Sequence, residues 1–254
     1  PFVPGQVVPL AAIGDSAGPP DSLVGKVVGL SFDSSGRLAV LDGRLSRLGV
    51  HRHDGSLLEH LGRSGPGPTE FTEPLSITTS RAALFVGSLD RSIKAFEATD
   101  SGYRLNRTFR LGAAPRSMCA LGDNLYVSSP ALDDPSVLVV VSSVDGSERT
   151  KVGPVYVSGN RMIDHQLNEG RVACDAASRI VAVAVSGGVG EVRAFDQDGK
   201  PEWILRLNGF RGTRITEFRD GFSVEIPEGG FSRFRSIVVA RPGIFVVQVE
   251  YLTK

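Results

Sequence analysis

Four two-residue turns punctuate this chain: Asp54-Gly55, Ser101-Gly102, Asp145-Gly146 and Asp198-Gly199. Their glycines recur at a period of roughly 45 to 50 residues, the spacing of propeller blades. Asp-Gly supplies the positive φ angles that a two-residue hairpin turn needs if the flanking strands are to keep their twist. Short alternating apolar runs flank each turn, which is the pattern of half-buried strands. Helical periodicity is weak throughout, so no helix longer than a turn or two is expected.

Read strand by strand, one unit is an antiparallel sheet A to D. Lys26–Phe32 is strand A, Leu38–Asp42 is B, Arg47–His51 is C and Ser56–Leu61 is D. The same plan gives a second unit at 75–111, a third at 117–152 and a fourth at 172–207. A partial fifth starts at Ser236 and runs out through Ile244–Tyr251. The predicted fold is all-β, a propeller of four-stranded antiparallel blades in a single domain spanning 1–254.

The D-to-A connections are informative. Gly62-Arg63-Ser64-Gly65-Pro66-Gly67-Pro68-Thr69-Glu70-Phe71-Thr72-Glu73-Pro74 joins the first two units. It lacks the Gly-Lys-Ser/Thr ending of a phosphate loop, and so reads as a joint between blades. A weaker copy, Gly18-Pro19-Pro20, follows the apolar run Gln6–Ile13. That run therefore reads as an orphan D strand at 6–13 that would close a ring. Because the fifth unit holds only two strands, the expectation is an incomplete propeller: four full blades, a partial fifth and an N-terminal closing strand. A five-blade ring with a defective closing blade, or a ring completed by another chain, are the alternatives.

The loop motif, with Phe32-Asp33-Ser34-Ser35-Gly36, Leu38-Ala39-Val40-Leu41-Asp42 and Val192-Arg193-Ala194-Phe195-Asp196-Gln197-Asp198-Gly199, resembles the NHL-repeat-like bacterial six-bladed β-propellers. The resemblance covers most of the chain, although the full loop motif occurs once. It implies the fold; propellers host unrelated activities. Some propellers of this kind are lactonases or amidating lyases with a divalent metal at the channel mouth, and some eukaryotic NHL proteins bind RNA.

Composition narrows the function classes. Lys and Arg number 28 and Asp and Glu 28, so no global field gathers nucleic acid or anionic lipid. No apolar run has the length of a bilayer-spanning helix. The chain opens Pro1-Phe2-Val3-Pro4 with no initiator Met and no export signal in view, as a trimmed chain would. The Cys-pair, Gly-x-Ser-x-Gly and His-Glu-x-x-His signatures of metal and hydrolase sites are missing.

Several residues remain as site candidates. In an up-and-down sheet the B–C and D–A connections share one end, and here the D–A connections vary most in length. Binding usually sits on loops held by a rigid scaffold. The longest, 208–235, holds an extra hairpin around Asp220-Gly221 and gathers Arg211, Arg214, Arg219, Arg233 and Arg235 among five Phe. It is either an anion or carbohydrate site or a Phe-cored loop with solvated Arg. Asp164 and His165, with Glu169, offer metal ligands or a general base; Asp42 and Asp90 are further channel-mouth candidates. His51 and His53 could share a sheet face near His60. Cys119 and Cys174 occupy similar places in two A strands. They read as buried thiols acting as small apolar residues, with an inter-blade disulfide as the alternative. Asn106-Arg107-Thr108 fits the glycosylation acceptor pattern.

These features favour a non-enzymatic binding or scaffold propeller, extracellular or periplasmic. Its expected partner is a protein, peptide or carbohydrate and not nucleic acid; the cofactor is left open between none and a divalent metal. The alternative is a metal-dependent hydrolase or lyase with a divalent ion at the channel mouth.

Overall fold

The structure, a computed structural model, describes residues 12–14, 23–185, 190–218 and 221–253. Most of the expected closing strand 6–13 and the residues Gly18-Pro19-Pro20 lie outside them. Twenty strands and one short helix are found among the described residues.

The first sheet has the order β1 (Val27–Phe32), β2 (Leu38–Asp42), β3 (Arg47–His51), β4 (Leu57–Leu61). The second is β5 (Pro74–Thr79), β6 (Ala83–Ser88), β7 (Ser92–Thr99), β8 (Gly102–Arg110). The third is β9 (Ser117–Leu121), β10 (Asn124–Ser128), β11 (Leu138–Ser142), β12 (Glu148–Val152). Helix α1 (Arg161–Leu167) precedes the fourth: β13 (Gly170–Asp175), β14 (Ile180–Val185), β15 (Glu191–Asp196), β16 (Pro201–Arg206). A hairpin β17 (Arg214–Phe218) and β18 (Gly221–Glu225) follows, then the pair β19 (Phe231–Arg241) and β20 (Ile244–Leu252). Strand β19 begins at Phe231, ahead of the Ser236 expected from the apolar run alone. The polar residues Ser232, Arg233 and Arg235 hide its start, yet Ser232 and Arg233 pair with Tyr251 and Glu250 of β20.

The chain divides into two compact units, 1–86 with 94–107, and 87–93 with 108–254. In the first, alternate residues Ala39 and Leu41 of β2 and Leu48 and Val50 of β3 point into a core shared with Ile77, Leu84 and Val86. Period-two alternation leaves Val40 and Gly49 on the opposite face. In the second unit one core joins Leu138 and Val140 of the third sheet to Val181, Val183 and Val185 of the fourth. Another packs Ala182 and Ala184 against Phe234 and Ile237.

A feature hidden in the sequence repeats in three sheets. The C–D pair shifts register at Val50/His51, at Val140/Val141 and at Ala194/Phe195. A bulge there raises the local twist and re-aims the outer strand.

The glycine-rich connection 62–74 is a plug. Phe71 is fully buried and meets Phe96 edge-on, with ring centroids 6.1 Å apart. Burying such a ring contributes about 2 kcal/mol. Its ring lies over Gly62, where a Cβ would come within 2.2 Å of it at a φ of +80°, so only glycine serves there. Glu70 accepts from the Gly67 amide at 2.9 Å and from Arg63 at 2.7 Å. The buried Lys94 ammonium donates to the carbonyls of Gly67 and Glu70. The motif that carries the family resemblance is therefore a packed joint.

Candidate functional site

The connection between β12 and β13 is held by one buried side chain. Asn168 is 0 % exposed. Its Oδ1 accepts from the amides of Val155 (2.7 Å) and Tyr156 (3.0 Å), and its Nδ2 donates to the carbonyls of Tyr156 and Asp164. Asn160 caps α1 by accepting from Met162 and Ile163. Asp164 is buried and accepts from the amide and hydroxyl of Ser158 at 2.6 and 2.7 Å. Asp164 and His165 are neighbours in α1, but the Asp164 carboxylate is turned onto Ser158 while His165 is half-buried. Among the described residues no group of three or more His, Cys, Asp or Glu is placed to hold a metal ion.

The other carboxylates proposed for a channel mouth also have structural partners. Asp42 accepts from the amides of Gly25, Lys26, Arg44 and Leu45. Burial alone would raise its pKa, but these four donors outweigh it and hold the carboxyl below the usual range. Asp90 accepts from the amide and hydroxyl of Ser92 at 3.2 and 2.6 Å.

The arginine cluster is split by strand alternation. Arg233 and Glu250 are cross-strand partners, as are Ser232 and Tyr251, so the two pairs face opposite sides. Arg233 and Arg235 both reach Oε2 of Glu250, at 2.7 and 3.1 Å, and their side chains are 41 % and 49 % exposed. Arg211 instead donates to the Tyr251 hydroxyl at 3.2 Å and lies over its ring. Arg214 opens β17 and is exposed; Arg219 lies outside the described residues. Of the five Phe, Phe210 stacks on buried Phe234 at 5.0 Å, so part of this loop is core. The sequence does not announce a second cluster of the same kind: buried Glu191 accepts from both Arg193 and Arg206. Tyr156 lies beside it, its hydroxyl pushed up to about 12 by burial and by the Glu191 charge.

Cys119 of β9 and Cys174 of β13 form a disulfide with Cα atoms 5.6 Å apart. The expectation of buried thiols is corrected: equivalent places in adjacent innermost strands put the two sulfurs within bonding range.

The histidines also part company. His53 lies in the turn after β3, in a shallow concavity with Arg37 and Arg52. His51 instead shares a sheet face with His60, whose cross-strand partner is Gly49. Together with Val40, Leu57 and Arg47 they line a concavity of about 610 Å³ on that face, walled by Ile13, Leu23 and Val24.

No family model matches the sequence, and no curated protein sequence does. Solved structures do match in fold. The chain is similar to the Myxococcus xanthus glutaminyl cyclase, at 13 % identity over 89 % of this chain and 91 % of that one, with a TM-score of 0.51. It is similar also to the β-propeller domain of Myceliophteria thermophila Cps50 (Swd1), at 11 % identity over 91 % of this chain and 72 % of that one, with a TM-score of 0.51. The fold is that of a β-propeller, with four complete four-stranded antiparallel blades among the described residues. These two fold neighbours are an enzyme and the propeller domain of Cps50 (Swd1). No helix among the described residues is long and apolar enough to cross a membrane.

Proposed function

We propose that the chain is a non-enzymatic binding or scaffold propeller that works outside the cytoplasm. It takes an anionic group of a protein, peptide or carbohydrate ligand beside Arg233 and Arg235. One observation carries this reading: two half-exposed guanidiniums share the single carboxylate of Glu250, which leaves one positive charge in excess. Arg presents a planar fork suited to carboxylate, sulfate or phosphate.

Two further features favour binding over catalysis. The connections 153–169 and 62–74 are held by Asn168 and Lys94, so a ligand reaching either of them meets loops that are already ordered. Asp42 is fixed in its ionised form by four amides, whereas a general base works best with a pKa near the operating pH. The Cys119–Cys174 bond suits an oxidising compartment, and the balanced charge offers no field for nucleic acid.

The test is a thermal-shift screen of acidic and neutral peptides and oligosaccharides beside turnover assays. The expected result is stabilisation by acidic compounds without chemical change. Glutaminyl cyclase activity, or turnover of a lactone or amidated peptide, would overturn the non-enzymatic reading.

A further inference from the structure

The concavity on the first sheet has a chemistry of its own, separate from the arginine face. Its floor is Gly49, the cross-strand partner of both Val40 and His60. A Cβ on Gly49 would lie 2.9 Å from Nε2 of His51 and 3.6 Å from Cε1 of His60. The missing side chain thus lets both imidazoles lean over the floor. The walls are apolar, from Ile13, Leu23, Val24, Val40 and Leu57. At about 610 Å³ the space falls within the ~300–1,000 Å³ typical of small-molecule pockets.

The polar groups are set by their partners. Asp42 is saturated by four backbone amides. Arg47 donates to the Leu23 carbonyl, which fastens that wall to the sheet. His51 is buried, and its Nδ1 lies 3.2 Å from the Gly55 carbonyl. A carbonyl only accepts, so Nδ1 carries the proton and neutral His51 presents Nε2 as a lone pair. Burial, aided by the charge of His60, lowers the His51 pKa despite the Gly55 bond, so the neutral ring is the form present at pH ~7. The pocket therefore offers an apolar body site and an acceptor of fixed direction.

We propose that this concavity binds a small neutral molecule with an apolar body and one hydroxyl or amide N–H, which donates to Nε2 of His51. An anion gains nothing from that lone pair, and a purely apolar molecule leaves it unpaired, which costs affinity.

The probes are 1-naphthol and 1-methoxynaphthalene, which share an apolar body and differ in the donor. Calorimetry on the full chain at pH ~7.5, about one unit above the ordinary histidine midpoint, is expected to find 1-naphthol about tenfold tighter. In His51→Phe the ratio of the two affinities falls to about one, whatever the variant does to the affinity of the ether itself. Should the variant fail to fold, long-range 1H–15N spectra of the wild type decide: 1-naphthol shifts the His51 Nε2 resonance and the ether does not. Equal affinities in the wild type, no binding of either probe up to its solubility, an advantage that survives in His51→Phe, or an unmoved Nε2 resonance would each overturn the proposal.

Discussion

Tyr103 donates its phenolic hydrogen to Oδ2 of Asp33 at 2.7 Å, joining residues 70 positions apart in the sequence. Asp33 follows the first A strand, and its two oxygens also take the Ser35 amide and hydroxyl and the Arg37 amide and Nε. Arg37 in turn lies over the Tyr103 ring at 4.7 Å. The Tyr103 amide donates to Glu59 at 2.6 Å, so a second carboxylate secures the start of β8. An equivalent aspartate, Asp175, accepts from the Gly243 amide at 2.7 Å. The aspartate of the A–B turn thus latches its sheet to the next within each unit.

Tyr103→Phe should cost about 2 kcal/mol, the worth of a hydrogen bond to a charged group. Burial pushes Asp33 up, but the bonds from Tyr103, Ser35 and Arg37 hold it below its ordinary value of 3.8. A depressed carboxylate stabilises the fold above the unfolded pKa and loses that contribution as pH falls through the folded one. Urea unfolding should therefore separate wild type and variant fully at pH ~7 and progressively less below about pH 4. A pH-independent gap would assign the effect to packing alone.

Asn168→Ala should loosen the connection before β13. It removes the acceptor of two amides and a donor to two carbonyls, a loss of about 3 kcal/mol when such groups are left buried and unpaired. Hydrogen exchange at Val155 and Tyr156 should quicken by about tenfold or more relative to β14. Unchanged exchange there would show that Asn168 does not hold the loop.

Reducing Cys119–Cys174 should lower stability by about 2–4 kcal/mol, since the bond joins residues 55 positions apart. Chemical denaturation with and without reductant measures it, and Cys119→Ala should abolish the difference.

Gly62→Ala should cost about 3 kcal/mol or more, because it combines a left-handed backbone with a clash against the buried Phe71 ring. Gly36→Ala has the same sign of φ but no neighbour within 4 Å, and should cost about 1 kcal/mol. Equal melting temperatures for the two variants would remove the role given to the Phe71 plug.

Blade architecture was legible because period-two alternation and Asp-Gly turns are local signals. Asp54 and Asp145, the first residues of two Asp-Gly pairs, cap their turns through Oδ1. In the fourth sheet Asp196, two residues ahead of Asp198, does the same. What sequence could not supply was partnership across long separations. Asp33 with Tyr103, Lys94 with the 62–74 connection and Cys119 with Cys174 depend on how strands pair, which turn chemistry does not specify. The arginine cluster shows the same limit. Arg233 and Arg235 gather on Glu250 while Arg211 goes to Tyr251, its partner on the other side of the strand pair. Arg219 lies outside the described residues. That His51 and His60 share a face of β3 and β4 was hidden by the interest of His51 and His53 as near neighbours. The Gly49 between the two rings carried the available signal.

The excess positive charge beside Glu250 carries the proposed binding function. Fluorescence anisotropy with a labelled Glu-rich hexapeptide and a labelled sulfated hexasaccharide, in about 0.15 M salt where exposed charges are screened beyond ~8 Å, tests it directly. At least one probe should bind the wild type, weaken as salt rises, and lose binding in the double variant Arg233→Glu, Arg235→Glu. Binding of neither probe, or equal affinity in the charge-reversed protein, would contradict it.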